Sequence, residues 1–346
     1  MSSADLKQVS FPPDVLARIA PDVSLERHLS LGIRPNLRNF TEFNSIDIKS
    51  NNQQLQENYN NIFASSIVKS GPTTIINTLT LGVVENYGQD KDKYGTVYPV
   101  VEILRGRMGG APTDEEMILG QDLYETIYHS KLIPNESLQV KPIGLGIKEE
   151  DGETIYYPDL QEADYIPQSE HEKSYSFVIL SSIKVYSKHT STNSLFDLCY
   201  LSCVDALQKL KLPRLYIMDS IQTKVSVKSK KSTTRGLIST NKAELNIDTA
   251  NKQHYYSIEL NIKEGSISSN YGIVKSPDNN DESILLTDLQ GQEEESAILS
   301  RMSIITNKTG SINRISLING GDGDISLELL RDAIEISKRR SKEGVM

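Results

Sequence analysis

Two acidic and two basic groups in this chain carry residue types able to do chemistry. Asp288 and Glu294 bracket the run Asp288-Leu289-Gln290-Gly291-Gln292-Glu293-Glu294. Such carboxylates could hold Mg²⁺ weakly, because a hard cation accepts either acid; a solvated acidic turn is the competing reading. Arg105 and Arg107 flank glycines in Arg105-Gly106-Arg107-Met108-Gly109-Gly110. A flexible loop of that kind after a strand suits contact with a phosphate backbone, against the plainer reading of two arginines pairing with surface acids. A second basic run, Lys224, Lys228, Lys230, Lys231 and Arg235, has no interleaved aromatic residue, so a base-stacking platform is not expected there. Lys188 and His189 could attract phosphate, but their loop carries neither glycine nor arginine and reads better as solvated. Gly320-Gly321-Asp322-Gly323-Asp324 lacks the lysine and spacing of a phosphate loop. Five histidines show no metal-ligand spacing, and Cys199 and Cys203, four apart in a helical pattern, read as buried thiols. No cofactor and no resident metal are expected.

The chain around these residues is 346 long, enough for two domains of ordinary size. Its net charge of −9 makes it a poor bulk binder of nucleic acid, so any RNA contact must come from local basic patches or a surface shared with partners. No apolar run reaches membrane-spanning length and the first residues lack a signal-peptide core, which makes an intracellular protein without a membrane partner the expectation.

Two short helices are expected at Pro13 to Ile19 and Ser24 to Leu31, then strands at Ser45–Ile48, Ser66–Lys69 and Thr74–Leu79, with Gly71-Pro72 as the hairpin turn. Val97–Ile103 reads as another strand. Thr113 and Glu116 form a capping box opening a helix to about Lys131, with Met117, Gly120, Tyr124 and Ile127 on one face. Residues 144–174 are acidic and turn-rich, a surface insertion read as a loop or a partner-binding arm. Strands follow at Phe177–Leu180 and Ile183–Tyr186. A helix capped by Ser194 buries Leu195, Leu198, Cys199, Cys203, Ala206, Leu207 and Leu210. The second half reads as strands at Thr223–Val227, Tyr255–Ile262, Ile284–Thr287, Met302–Thr306 and Ile312–Ile318. A last helix has Ser326 as cap and Lys338-Arg339-Arg340 near its end, favourable to the dipole. The divisions are a helical extension at 1–30, a first domain at 31–214 and a second at 215–346.

Several segments together resemble the RNase PH-like ring subunits of the eukaryotic RNA exosome. They are the Arg34/Arg38 turn, Gly110-Ala111-Pro112-Thr113-Asp114-Glu115-Glu116, Phe196-Asp197-Leu198-Cys199, Ala206-Leu207, Leu212-Pro213, Asn270-Tyr271-Gly272-Ile273-Val274 and Gly320-Gly321. Ser10 to Ile19 points to one ring member. The resemblance implies an α+β RNase PH-like fold in two sheet-plus-helix halves, the first of ribosomal protein S5 domain 2 type. It also implies neighbouring RNase PH-like subunits, S1/KH cap subunits, RNA in a central channel, a separate catalytic nuclease, and residence in nucleus, nucleolus and cytoplasm. The family turn usually reads Arg-x-Asp-Gly-Arg; here Asn36-Leu37 replaces Asp-Gly, while Arg34 and Arg38 are read as structural anchors. Active subunits carry Asp-Leu-x-x-x-Glu-Asp and an Asp-Gly-Gly-Thr-Arg-like phosphate cradle. Asp288 and Glu294 match the two acids, but Tyr186 to Ser194 does not match the cradle. The expectation is a non-catalytic scaffold with Asp288 and Glu294 as relics and Arg105 and Arg107 facing RNA, the alternative being a phosphorolytic 3′–5′ exoribonuclease.

Overall fold

A computed structural model describes residues 11–50, 61–86, 93–105, 110–140, 143–149, 152–157, 174–186, 192–218, 245–248, 251–261, 266–277, 283–320 and 325–344. Thr223–Val227, Arg107, Lys188, His189 and the basic run from Lys224 to Arg235 fall outside these residues.

Two helices open the chain, α1 (Pro13–Ile19) and α2 (Pro21–Ser30), each with proline at its first position, where a missing N–H costs nothing. The second begins at Pro21 rather than Ser24, because that proline starts the helix instead of separating two turns. The first large sheet has five strands: β1 (Asp47–Ser50), β2 (Ala64–Ser70), β3 (Thr73–Glu85), β4 (Val97–Ile103) and a later strand at Tyr175–Tyr186. The β2–β3 hairpin turns at Gly71-Pro72 with Ser70 opposite Thr73, and Gly71 takes φ 54°. The two expected runs around Phe177 and Ile183 are one continuous strand, because Ser181 and Ser182 keep the alternation and Ser181 is satisfied inside by Asn77.

Between β4 and that strand, α3 (Asp114–His129) crosses over, and the two strands it joins run parallel. Its buried face is Glu116, Leu119, Leu123, Thr126 and Ile127, so of the expected Met117–Gly120–Tyr124–Ile127 line only Ile127 is buried. Met117 is exposed and, with Gly120 and Tyr124, lines a groove against Tyr98 and Val100.

The insertion that follows is no simple loop in its described part. Strands β5 (Gly144–Glu149) and β6 (Gly152–Tyr156) form a hairpin, and β5 pairs in parallel with a strand at Leu215–Met218. With β7 being Tyr175–Tyr186 and β8 Leu215–Met218, β9 (Leu245–Ile247) completes this second sheet in the order β9-β8-β5-β6. Polar, turn-rich composition hid the hairpin, whose pairing partner lies about seventy residues away in sequence.

Helix α4 (Thr192–Gln208) starts two residues before the expected cap at Ser194. It packs on β2 and β3 with one face and on a strand of the second half, β10 (Ser266–Lys275), with another. Every residue of its expected apolar stripe is buried. Of the expected strand Tyr255–Ile262, the described residues to 261 show a two-residue pairing at Tyr256–Ser257 after a 3₁₀ turn at Lys252–His254.

The last sheet is antiparallel in the order β11-β10-β12-β13, with β11 Ser283–Thr287, β12 Ser300–Asn307 and β13 Ile312–Ile318. A short helix, α5 (Gln292–Ala297), links β11 to β12, and α6 (Leu327–Glu343) covers β10, β11 and β12. Ser326 caps α6 by accepting from the Leu329 amide at 3.2 Å. Near its end, Arg340 turns inward instead of serving only the helix dipole. No helix among the described residues is long and apolar enough to cross a membrane.

Candidate functional site

The chain entering β1 turns at Arg34-Pro35-Asn36-Leu37-Arg38. The Leu37 amide donates to the Arg34 carbonyl at 2.9 Å and Asn36 Oδ1 accepts from the Arg38 amide at 3.1 Å. Closing this turn puts Leu37 at φ 61°, a left-handed conformation that costs a residue with a Cβ about 1 kcal/mol or more. It stands where the family pattern has glycine. Leu37 itself is exposed, so its side chain gains nothing in return.

The turn aims both arginines at the acids after β11. Arg34 is wholly buried and binds Glu294 in a fork, Nε to Oε1 at 2.8 Å and Nη2 to Oε2 at 2.6 Å. Its Nη1 donates to the Thr287 carbonyl at 2.8 Å. Glu294, also wholly buried, takes a further hydrogen bond from the Gln290 amide at 2.9 Å. Arg38 donates through Nη2 to the Asp288 carbonyl at 2.8 Å, while Asp288 Oδ2 accepts from the Asn44 amide at 3.0 Å. Asp288 has φ 48°, so the backbone is bent sharply where the two arginines grip it. Next along, Glu293 Oε1 accepts from Ser24 Oγ at 2.7 Å, which fastens α2 to α5. Leu25 and Leu29 of α2 pack with Leu286, Leu289 and Ile298 beneath this polar layer.

Glu294 Oε1 accepts from the Arg34 guanidinium, and Oε2 accepts from the guanidinium and the Gln290 amide, so a cation at Glu294 would compete with a buried ion pair for about one remaining acceptor site. Among the described residues no group of three or more His, Cys, Asp or Glu side chains could hold a metal ion.

Arg105 occupies a second, separate place at the end of β4. Its Nη2 lies 2.6 Å from Glu116 Oε2, and its side chain stays 42% exposed. Glu116 also accepts from the amides of Ile103 at 2.7 Å and Thr113 at 2.6 Å, completing the expected capping box. Burial pushes this carboxyl up, but the hydrogen bonds from Thr113, Ile103 and Arg105 outweigh it and hold the group down at about 2.

Sequence reasoning missed a third cluster. Asp197, on the face of α4 turned to β10, hydrogen-bonds Ser268, and burial pushes its carboxyl up to about 7. Arg340 reaches in from α6 to the Ser268 carbonyl at 3.1 Å and Ser269 Oγ at 3.2 Å, and stacks 3.9 Å from the Phe43 ring centroid. An acid set between Phe196 and Leu198 in the apolar part of α4 was the available signal. Cys199 and Cys203, on the same helix, are buried thiols whose pKa values burial raises, Cys203 to about 11.

This architecture is an α+β RNase PH-like fold. Over nearly its whole length the chain superposes on an archaeal exosome core structure from Archaeoglobus fulgidus that has RNA bound to its active site, with a TM-score of 0.60 at 16% identity, covering 95% of this chain and 98% of that one. A further archaeal exosome core gives a TM-score of 0.57 at 16% identity, covering 96% and 97%. In sequence, the chain is similar to exosome complex component rrp43 of Schizosaccharomyces pombe, 25% identical over 137 residues, which make up 38% of this chain and 48% of the relative. Its name, rrp43, agrees with the fungal ribosomal RNA-processing protein 43 to which the run Ser10–Ile19 points. The match spans about half the relative's length. No family model matches the chain.

Proposed function

We propose that this chain is a structural subunit of an RNA exosome core ring, supporting 3′–5′ RNA processing and decay, ribosomal RNA maturation included, without phosphorolytic chemistry of its own. The observation that carries the reading is the buried Arg34–Glu294 fork. The acid that matches the second site carboxylate of active subunits is spent on holding the N-terminal turn against the second half. Phosphorolysis needs an anion cradle and acids free to hold a metal or move a proton. Tyr186 to Ser194, where the cradle would stand, has neither glycine nor arginine.

In this reading the ring neighbours are other RNase PH-like chains, S1/KH proteins cap them, and RNA passes through the channel to a separate nuclease. Arg105, half-exposed and paired with Glu116, and Arg107 contact the RNA backbone. The complex works in the nucleus and nucleolus, and in the cytoplasm.

The test is phosphate-dependent release of nucleoside diphosphates from RNA by the purified assembly, with and without Asp288→Ala in this chain. The expected result is no difference between the two, with composition unchanged. Phosphorolysis that disappears in the Asp288→Ala assembly would make the chain an exoribonuclease.

A further inference from the structure

The chain holds one Asn-Gly pair, Asn319-Gly320, directly after β13. An asparagine followed by glycine can react with itself. The next backbone nitrogen attacks the side-chain amide carbon and closes a succinimide ring, and glycine, having no Cβ, leaves that nitrogen unhindered. Two proton movements limit the step. The backbone N–H must give up its proton, and the amide oxygen must be stabilised as the carbon becomes tetrahedral.

The fold places one hydroxyl where it can serve both. Ser300 opens β12 and is buried, fixed across from Ile273 of β10. On its other flank Arg301 pairs with Ile318, so the next step in register sets Ser300 beside Asn319. The Gly320 amide donates to Ser300 Oγ at 3.2 Å, and Ser300 Oγ donates to Asn319 Oδ1 at 3.2 Å. The same oxygen thus accepts from the nucleophile and donates to the electrophile. Close packing holds the pair in place, since a Cβ on Gly320 would run into the Leu299 Cβ and lie 2.8 Å from its carbonyl carbon. Asn319 and Gly320 themselves are exposed, which gives water access to the ring. A rigid strand that holds the relay against both reacting groups removes the orientational cost a free chain would meet.

We propose that Asn319-Gly320 is a self-modification site, with Ser300 as the proton relay that converts Asn319 to aspartate and isoaspartate. The Gly320 nitrogen forms a bond to Asn319 Cγ while its proton passes to Ser300 Oγ and the serine proton passes to Oδ1. Collapse of this intermediate breaks the Cγ–Nδ2 bond. The Oδ1 proton is transferred to Nδ2, ammonia leaves and the succinimide remains. Water then opens the ring. Attack at Cγ gives aspartate, and attack at the backbone carbonyl gives isoaspartate, with the chain continuing through Cγ. Either product adds a negative charge at the end of β13, beside the exposed Leu299 and Ile318. Isoaspartate also lengthens the backbone between β13 and α6 by one methylene. None of this depends on the exosome reading.

Conversion of residue 319 is measured in the purified native assembly at neutral pH and in the same chain unfolded in denaturant. Mass spectrometry of the peptide in heavy-oxygen water reads ring opening, and enzymatic methylation reads isoaspartate. The relay predicts faster conversion in the native chain than in the unfolded one, with the oxygen label entering residue 319. Ser300→Ala should slow native conversion by about tenfold or more, with hydrogen-exchange protection of 266–275 retained. Ser300→Thr, which keeps the hydroxyl, should restore most of the rate. Native conversion no faster than unfolded overturns the proposal, as does a folded Ser300→Ala chain that converts as fast as the unaltered one. Should Ser300→Ala fail to fold, the native-against-unfolded comparison still decides.

Discussion

Leu37 holds a backbone conformation that glycine adopts freely and leucine does not. Loss of the family glycine at this point reads from sequence as loss of chemistry, yet the turn is still closed and both its arginines still reach their partners. What the departure costs the fold is strain at Leu37, while the turn and both arginine contacts are kept. Leu37→Gly is expected to stabilise the protein by about 1 kcal/mol, partly offset by the entropy of the freed chain, as measured by denaturant unfolding. Arg34→Ala should do the reverse by about 3–5 kcal/mol, since it strands the Glu294 charge in the interior. Replacing both partners, Arg34→Met with Glu294→Leu, should cost much less than either single change; equal losses would show that the pair is not the unit. Two acids set opposite dependences on pH. Glu116, held at about 2 against an ordinary 4.5, contributes stability present above about 4.5 and lost as pH falls toward 2. Asp197, raised to about 7 from 3.8, contributes stability that is present below about 4 and lost as pH rises through 7. Unfolding curves of Asp197→Asn should therefore lack the decline between those values, while Glu116→Gln should lack the acid-side loss.

Among the elements, those built on local signals were the most legible. The capping box at Thr113–Glu116, the Gly71-Pro72 hairpin, the strand at Val97–Ile103 and the apolar stripe of α4 are written in residues a few positions apart. What escaped depends on distant partners. The β5–β6 hairpin needs Leu215–Met218 to pair with, and the inward turn of Arg340 needs Phe43, Ser268 and Ser269. The face of α3 was misjudged because Met117 and Tyr124 are apolar yet line a surface groove. Close packing at Gly272 belongs to this scale too. A Cβ there would lie 2.6 Å from a Leu289 methyl and 3.0 Å from Ile298, so Gly272→Ala should cost about 1–3 kcal/mol and loosen the seat of α5. Thermal unfolding together with exchange in 292–297 would read both effects; an unchanged melting temperature would mean that the pocket simply relaxes.

On the scale of the whole molecule, three devices join the N-terminal extension, the first sheet and the second half. Arg34 and Arg38 pin the entrance turn to the acids after β11, Ser24 pins α2 to Glu293, and α4 lies between two sheets with Asp197 facing β10. The candidate acids were legible as Asp288 and Glu294 because they keep their spacing, but their role was not. The arginines that engage them lie some 250 residues earlier, and only the folded chain brings the two together. These acids fasten the entrance turn to the second half of the chain. In the assembled complex, Arg105→Glu with Arg107→Glu should shorten the length of RNA protected from added nuclease while composition stays intact; unchanged protection would remove both arginines from the RNA path.

The central claim is that this chain works as one unlike member of a multi-subunit ring. The most direct measurement is the native mass and protein composition of the complex purified gently through a tag on this chain at its natural level. The account predicts a defined assembly containing other RNase PH-like chains together with S1/KH proteins. A free monomer of 38.6 kDa, or a ring of this chain alone, would contradict it.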